Sequence, residues 1–343
     1  MVRHVRPDGD RAKAGAERRE GRAPGKVIGC AAFDVSARVT VTLDQAAAHF
    51  NNQSERVMKM SRRQALIAAG AALAVGASRT RGAAAVDRVV KNGRLKQSVS
   101  RWPYKQIPLP DFCRACADMG LTAIDLLEEP EWSVVRQYGL ICSMGYAGGG
   151  SIPDGLNVKA NHDAIAKHFE ETIPRAAAQR VPNVITFFGN RHGMSDADAI
   201  RNCIDGLNRV KKIGEDHGVT ICVELLNSKV NHPDYQGDHT AFGVEVVKAV
   251  NSPRVKLLYD IYHMQIMEGD VIRTIQDNRS HIAHFHTGGV PGRHELDDTQ
   301  ELNWKAVSKA IVATGYTGYV AHEFVPTRDP LTSLREAVAL CDV

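Results

Sequence analysis

The sequence has 343 residues, 43% of them hydrophobic and 24% charged, with 29 Gly and 14 Pro. Those proportions exclude collagen-like, mucin-like and mostly disordered chains. The formal net charge of +4 is unevenly placed: residues 1–85 hold 15 Lys/Arg against 7 Asp/Glu, a net of +8, and residues 86–343 hold 28 against 32, a net of −4. The basic character belongs to a leader, and a slightly acidic body removes the main compositional support for nucleic-acid binding.

Residues 1–57 are rich in Arg, Ala and Gly with weak hydrophobic periodicity, and read as an unstructured extension. From Met58 the pattern sharpens. Ser61-Arg62-Arg63 precedes the uncharged run QALIAAGAALAVGAS, which is followed by Arg79, Arg81 and the small residues Gly82-Ala83-Ala84-Ala85. A basic start, an apolar middle and an Ala-rich cleavage region make 58–85 an export signal, and the paired arginines resemble a twin-arginine signal read by the Tat machinery. The expected location is therefore exported or periplasmic, with the cytoplasm as the alternative if the signal is not used. The apolar run, about 15 residues, is shorter than the roughly 20 a stable membrane span needs. Such a signal belongs at a chain's start, so 1–57 reads as an over-extended gene start, with Met58 or Met60 the expected initiator.

The seven cysteines (30, 113, 116, 142, 203, 222 and 341) do not make a disulfide framework in a chain this long. Cys113-x-x-Cys116 has no second pair to complete a zinc site and falls in DFCRACADMG, a helical stretch, so the two read as packed thiols.

After residue 90, short apolar runs alternate with helical ones. The predicted strands are 96–102, 123–127, 140–146, 183–189, 220–226, 255–261, 282–288 and 319–324, with helices over 161–179, 195–217, 241–250, 268–278 and 303–314. Asn161, Ser195 and Asn303 stand where a helix-capping acceptor belongs. Near-continuous apolar strands alternating with helices imply a parallel sheet covered on both faces. Eight such units in about 250 residues match a (β/α)₈ TIM barrel, one domain over 90–343. A doubly wound open sheet is the alternative, but no GxGxxG turn follows the first strand.

A barrel of this kind builds its active site at the C-terminal ends of the strands. Four later strands carry a metal-type ligand there: Glu224 in ICVELLN, Asp260 in LLYDIYH, His286 in HFHTGG and Glu323 in VAHEF. Each sits in an apolar run where an unpaired charge costs several kcal/mol, and three converging carboxylates repel one another. A divalent cation resolves both, and this mostly oxygen set suits Mg²⁺ or Mn²⁺, with Co²⁺ also accommodated.

The segments VELLNSKVNHPDY, YDIYHMQIMEGD, GGVPGRHE followed by QELNW, and GYVAHEF resemble the hydroxypyruvate isomerase branch of the xylose isomerase-like barrel superfamily, over essentially all of 95–343. The resemblance implies a divalent metal at the barrel mouth and isomerisation or epimerisation of a small hydroxy-carbonyl compound. It carries the ligand role to Glu224, Asp260, His286 and Glu323, with the two glutamates doubling as the acid/base pair. Bacterial hydroxypyruvate isomerases resemble HVQIA in the seventh strand, with Gln where this chain has His286. Histidine there is what the ketose 3-epimerases of the superfamily carry, and this puts the substrate in question.

The expected chemistry is removal of the proton beside a carbonyl by one glutamate and its return by the other, with the cation stabilising the enediolate. His263, after Asp260, and Arg293, in GGVPGRHE, are expected to contact substrate. His192 in FFGNRHG is a further candidate, with its neighbour Arg191 equally eligible, and Lys229 could reach in from 227–239, a polar loop suited to be a lid. Glu301 reads as a helix-start acid, His281 and His284 flank the seventh strand, and by alternation His284 shares a face with His286.

The leading expectation is an isomerase resembling hydroxypyruvate isomerase, acting on a hydroxy-carbonyl or sugar-derived small molecule. A ketose or keto-acid 3-epimerase on the same metal site is the nearest alternative. A catalytically silent, exported sugar-binding barrel is the alternative of another class, and two intact glutamates argue against it. An endonuclease of the superfamily would need more His and Asp ligands and a phosphate-binding surface. Barrels of this kind are often dimers or tetramers, so a homo-oligomer is expected, with no nucleic acid and no stable membrane span after cleavage.

Overall fold

The computed structural model describes residues 88–343. The extension expected over 1–57 and the export signal expected over 58–85 lie outside the described residues. Among the latter, no helix is long and apolar enough to cross a membrane.

Among the described residues nine strands build the barrel: β1 (Lys96–Val99), β2 (Ala123–Ile124), β3 (Ile141–Cys142), β4 (Gly145–Gly149), β5 (Asn183–Phe187), β6 (Thr220–Glu224), β7 (Val255–Asp260), β8 (Ile282–Thr287) and β9 (Tyr319–His322). Seven pair in parallel in the order β1-β9-β8-β7-β6-β5-β4, and β2 pairs with β3. Parallel bridges from Ser100 to Asp125 and from Leu127 to Gly145 link β2 into the ring. Every residue of β6 is buried, as expected when helices cover the outside of a sheet and side chains fill its inside.

The helices are α1 (Leu109–Met119), α2 (Glu129–Arg136), α3 (His162–Ala178), α4 (Asp196–His217), α5 (Thr240–Val250), α6 (Ile261–Met267), α7 (Val271–Asn278), α8 (Trp304–Ala313) and α9 (Pro330–Cys341). Ser195 and Asn303 cap α4 and α8 by accepting from the backbone N–H groups of Asp198 and Ala306. Asn161 does not cap α3; its side chain donates instead to the Gly155 carbonyl at 3.3 Å.

Three boundaries differ from the sequence expectation. The first strand stops at Val99 because the chain turns into a short 3₁₀ turn at Trp102–Tyr104, where Pro103 has no N–H to give a ladder. The third predicted strand, 140–146, is two short ladders, β3 and β4, separated by Ser143 and Met144. The helix expected over 268–278 is α7 and begins only at Val271, because Gly269 (φ +65°) and Asp270 (φ +41°) enter the left-handed region, and a separate short helix, α6, precedes it. His263 consequently lies in the first turn of a helix rather than in a loop.

The six described cysteines are free and buried. Burial pushes the Cys113 thiol up to about 11, so the Cys113/Cys116 pair on α1 packs rather than reacts. A clasp joins the two ends of the barrel. Asp342, just beyond α9, accepts from the backbone N–H groups of Lys91, Asn92 and Gly93 at 2.5–2.8 Å.

Candidate metal centre and active site

Strand ends place the charged residues. Glu224 and Asp260 are the last residues of β6 and β7, His286 is the penultimate residue of β8, and Glu323 follows β9. The parallel register sets Asp260 opposite His286, and the Glu323 N–H donates to the Thr287 carbonyl at 2.9 Å. One ligand atom from each of the four lies within 4.8 Å of the other three, and all four residues are buried. Below them, one step down the same strands, Cys222 and Leu258 join Leu126, Met144 and Ile185 in an apolar floor. Above them opens a cavity of about 500 Å³ lined by Trp102, Tyr146, His232, His263 and Arg293 among others.

The donor set fits a divalent cation. His286 Nδ1 lies 2.6 Å from Glu323 Oε2, 3.4 Å from Glu224 Oε1 and 3.9 Å from Asp260 Oδ2, yet it has no aligned hydrogen-bond partner. Three buried carboxylates around one histidine nitrogen is the hard-oxygen grouping that Mg²⁺ or Mn²⁺ prefers.

Electrostatics divide the two glutamates. Burial pushes Glu224 up to about 7; the neighbouring His286 works against this and the Glu323 charge adds to it. Burial likewise raises Asp260, against the pull of Arg293. Burial also opposes ionisation of Glu323, but Arg293 and His286 outweigh it and hold the group down to about 2. His286 stands well above the ordinary histidine range: burial opposes its charge, but Glu323, Asp125 and Glu224 prevail.

A cation binds only the deprotonated ligands, so its binding must release protons. Below about pH 7 Glu224 must lose a proton, and His286 must lose one at higher pH still. Cation affinity is therefore expected to rise with pH, by about tenfold per unit for each proton released. Calorimetric titration of Mn²⁺ in buffers of different ionisation enthalpy reads the number directly; a pH-independent affinity would contradict this proton count.

Arg293 reaches into the cluster. Its Nη2 lies 2.8 Å from Asp260 Oδ2 and also pairs with Glu323 Oε2, its Nε donates to the Glu323 carbonyl at 3.0 Å, and the guanidinium lies 5.1 Å from the Tyr262 ring centre. His263 shares this corner. Asp260 accepts from its backbone N–H, the Asn227 N–H approaches its Nδ1 at 3.1 Å, and Arg293 Nη1 lies 2.7 Å from its Nε2. Burial and Arg293 hold the ring well below the usual histidine range, hence neutral. A neutral imidazole accepts at one nitrogen only, so one of those two donors is left without a proper acceptor.

The other candidates lie elsewhere. His192 is exposed, outside the cavity, and its backbone N–H donates to Asp234 at 2.9 Å. Arg191 pairs with Asp196 and Asp238. Lys229 is directed away from the cavity because its ammonium donates to the carbonyls of Ile266 and Met267 at the end of α6, both at 3.0 Å. The loop 227–239 is fastened at its far end: Tyr235 bridges to Asn190, and its hydroxyl donates to the Glu224 carbonyl at 2.9 Å. Glu301 accepts from Gln265 at 3.0 Å, and His281 lies in a 3₁₀ turn before β8.

Two features of the site escape the sequence reading. Asp125, just past β2, is buried and lies 2.9 Å from His286 Nε2 and 3.1 Å from His284 Nε2, while Ser143 donates to it at 2.5 Å. It holds the histidine nitrogen that faces away from the carboxylate cluster. The signal was available: AIDLL is an apolar strand with one acid near its C-terminal end, the same pattern that marks Asp260. Trp102 is the second. Its Nε1 donates to Glu323 Oε1 at 2.5 Å, and no spacing rule singles out a tryptophan after a first strand.

Comparison with known proteins agrees with this architecture. The 2-oxo-tetronate isomerase of Pectobacterium atrosepticum is 26% identical over 65% of this chain and 88% of its own length. The putative hydroxypyruvate isomerase of Homo sapiens is 24% identical over 68% of this chain and 80% of its own. The crystal structure of an AP endonuclease, family 2, from Brucella melitensis superposes with a TM-score of 0.64 at 23% identity, over 70% of this chain and 96% of that one, a likeness of fold. Residues 75–342 match the family model described as xylose isomerase-like TIM barrel, and this chain belongs to that family.

Proposed function

We propose that this protein is a divalent-cation-dependent isomerase of a small 2-oxo or hydroxy-carbonyl acid. One observation carries the reading: two buried glutamates, Glu224 and Glu323, converge on one cavity with opposite protonation tendencies. Glu224, Asp260, His286 and Glu323 would hold the cation, which when bound supplies Lewis-acid polarisation of the substrate carbonyl.

Glu323, kept ionised, takes the proton from the carbon beside the carbonyl. The C–H electron pair becomes the C=C bond of an enediolate, and the carbonyl pair moves onto oxygen. Glu224, without its proton when the cation is bound, relays the proton of the adjacent hydroxyl to the neighbouring carbon as that hydroxyl oxygen becomes the new carbonyl, so the carbonyl moves by one position with no net oxidation. Glu323 passes its proton to the enediolate oxygen, which resets the pair. Arg293 and His263 would bind the substrate's carboxylate and an adjacent oxygen, relieving the contact in which His263 cannot satisfy both donors. The names of the relatives supply the first substrates to try, 2-oxo-tetronate and hydroxypyruvate, both 2-oxo acids that Arg293 suits. His286 supports a second reading, 3-epimerisation, in which the proton returns to the same carbon from the opposite face.

The test is incubation of the full chain with Mn²⁺ or Mg²⁺ and each candidate in D₂O, followed by NMR. Deuterium entering the carbon beside the carbonyl, with a regioisomeric product, supports the isomerase, and an epimeric product selects the second reading. A cation-loaded protein that exchanges no proton on 2-oxo acids or ketoses would sink both.

A further inference from the structure

The opposite end of the barrel carries a charge arrangement that the isomerase site does not use. A cleft of about 440 Å³ opens at the N-terminal ends of the strands, and four cations line it, Lys96, Arg254, Lys256 and Arg279, with no Asp or Glu in its wall. The body of the chain is net acidic, so four cations gathered without an acid run against the average. Their current partners are neutral. Lys256 Nζ donates to the Ser280 carbonyl at 2.9 Å, Arg279 Nη1 to the Ile282 carbonyl at 2.9 Å, and Arg254 Nη1 lies 3.4 Å from Thr220 Oγ1. None of the four makes an ion pair among the described residues, and Arg279 Nε is buried with no hydrogen-bond partner.

Two of the cations are also held in place. The Arg279 guanidinium lies 4.6 Å from the Tyr316 ring centre and Lys96 Nζ 5.6 Å from that of Tyr319. Planar stacking fixes the guanidinium, and with Nη1 held by the Ile282 carbonyl its Nη2 is the group left to meet an oxyanion. Arg279 also presses on its neighbour: burial and the Arg279 charge together push the Lys256 ammonium down. Like charges gathered in a concave, partly dry site focus a positive potential there.

From this geometry we propose that the cleft is a binding site for a small, soluble, multivalent phosphate, such as a phosphate ester or pyrophosphate. Lys256 and Arg279 contact it at the floor, with Lys96 and Arg254 at the rim. The site is separate from the carboxylate cluster because β7 carries Lys256 near its start and Asp260 at its end.

Isothermal titration of the full chain with pyrophosphate, in cation-stripped buffer, tests the assignment. Saturable binding is expected, weakening as salt rises. It should weaken at least tenfold in the double variant Lys256→Gln/Arg279→Gln and be unchanged in Arg293→Ala, which alters the other end of the barrel. Citrate, of similar charge but built of carboxylates, should bind at least tenfold more weakly. If the double variant melts at a lower temperature than the wild type, Lys96→Ala at the exposed rim replaces it, with a loss of about threefold expected. The proposal is overturned by absence of saturable binding to the wild type, by undiminished binding in the folded variants, by loss of binding in Arg293→Ala, or by citrate binding equally well.

Discussion

Glu323→Gln and Glu224→Gln are each expected to slow proton exchange on the substrate by about 10²–10⁴-fold, the usual contribution of a positioned acid or base. Glutamine keeps the shape and removes the charge, so the loss falls on proton transfer and on cation binding together. Measuring bound Mn²⁺ beside the rate separates the two: a variant that keeps its cation and loses exchange assigns the residue to proton transfer. The same substitution has an opposite effect on stability. Glu224 is an acid whose value in the folded state lies above the ordinary 4.5, at about 7. Between those two pH values the unfolded chain gives up a proton that the folded chain retains, so cation-free stability falls as pH rises through this window. Glu224→Gln deletes that penalty. The cation-free variant should melt above cation-free wild type at pH 8, and the order should reverse on adding Mn²⁺. If the variant melts lower in both conditions, Glu224 is not the destabilised member of the cluster.

Asp125→Asn is the second substitution with a large expected effect, although Asp125 does not face the carboxylates. Its carboxylate accepts from His286 Nε2 and thereby fixes Nδ1 as the nitrogen offered to a cation. Burial opposes its ionisation, yet His284 and His286 hold it well below the usual carboxylate range. A carboxylate that orients a liganding histidine in this way is commonly worth about 10–100-fold in metal affinity. That loss should appear in competition with a coloured chelator, and ¹⁵N chemical shifts of His286 should report a changed tautomer. Removing one partner of a buried ion pair costs about 3–5 kcal/mol, so the variant should also melt earlier. Unchanged cation affinity in a folded variant would remove Asp125 from the centre's support.

The barrel and the four convergent side chains are legible in the sequence because both follow from local rules. Strand and helix periods alternate regularly, and a charge inside an apolar strand is conspicuous wherever it falls. What escaped depends on contacts between distant segments. Asp125 and His286 are 161 residues apart, and only the closed ring makes them neighbours. His192 and Lys229 follow strands just as Arg293 does, yet the chain directs them to other partners. The Asp234 carboxylate fastens the His192 backbone, and the carbonyls at the end of α6 capture the Lys229 ammonium. A polar residue near a strand end thus reaches the mouth only if nothing closer takes it. The interruption at Gly269-Asp270 was hidden for a related reason: the polar residues 268–270 fit a helix start as well as an interruption.

The Asp342 clasp bears on how such a molecule is made. β1 must pair with β9, and Asp342 with residues 91–93, before the ring is complete. β9 leaves the ribosome after β1–β8, so the ring cannot close before those strands have been made. Until then Glu323 is absent from the cluster. The repulsion that Glu323 adds to the buried carboxylates is thereby deferred until the strands that carry Glu224 and Asp260 have been made.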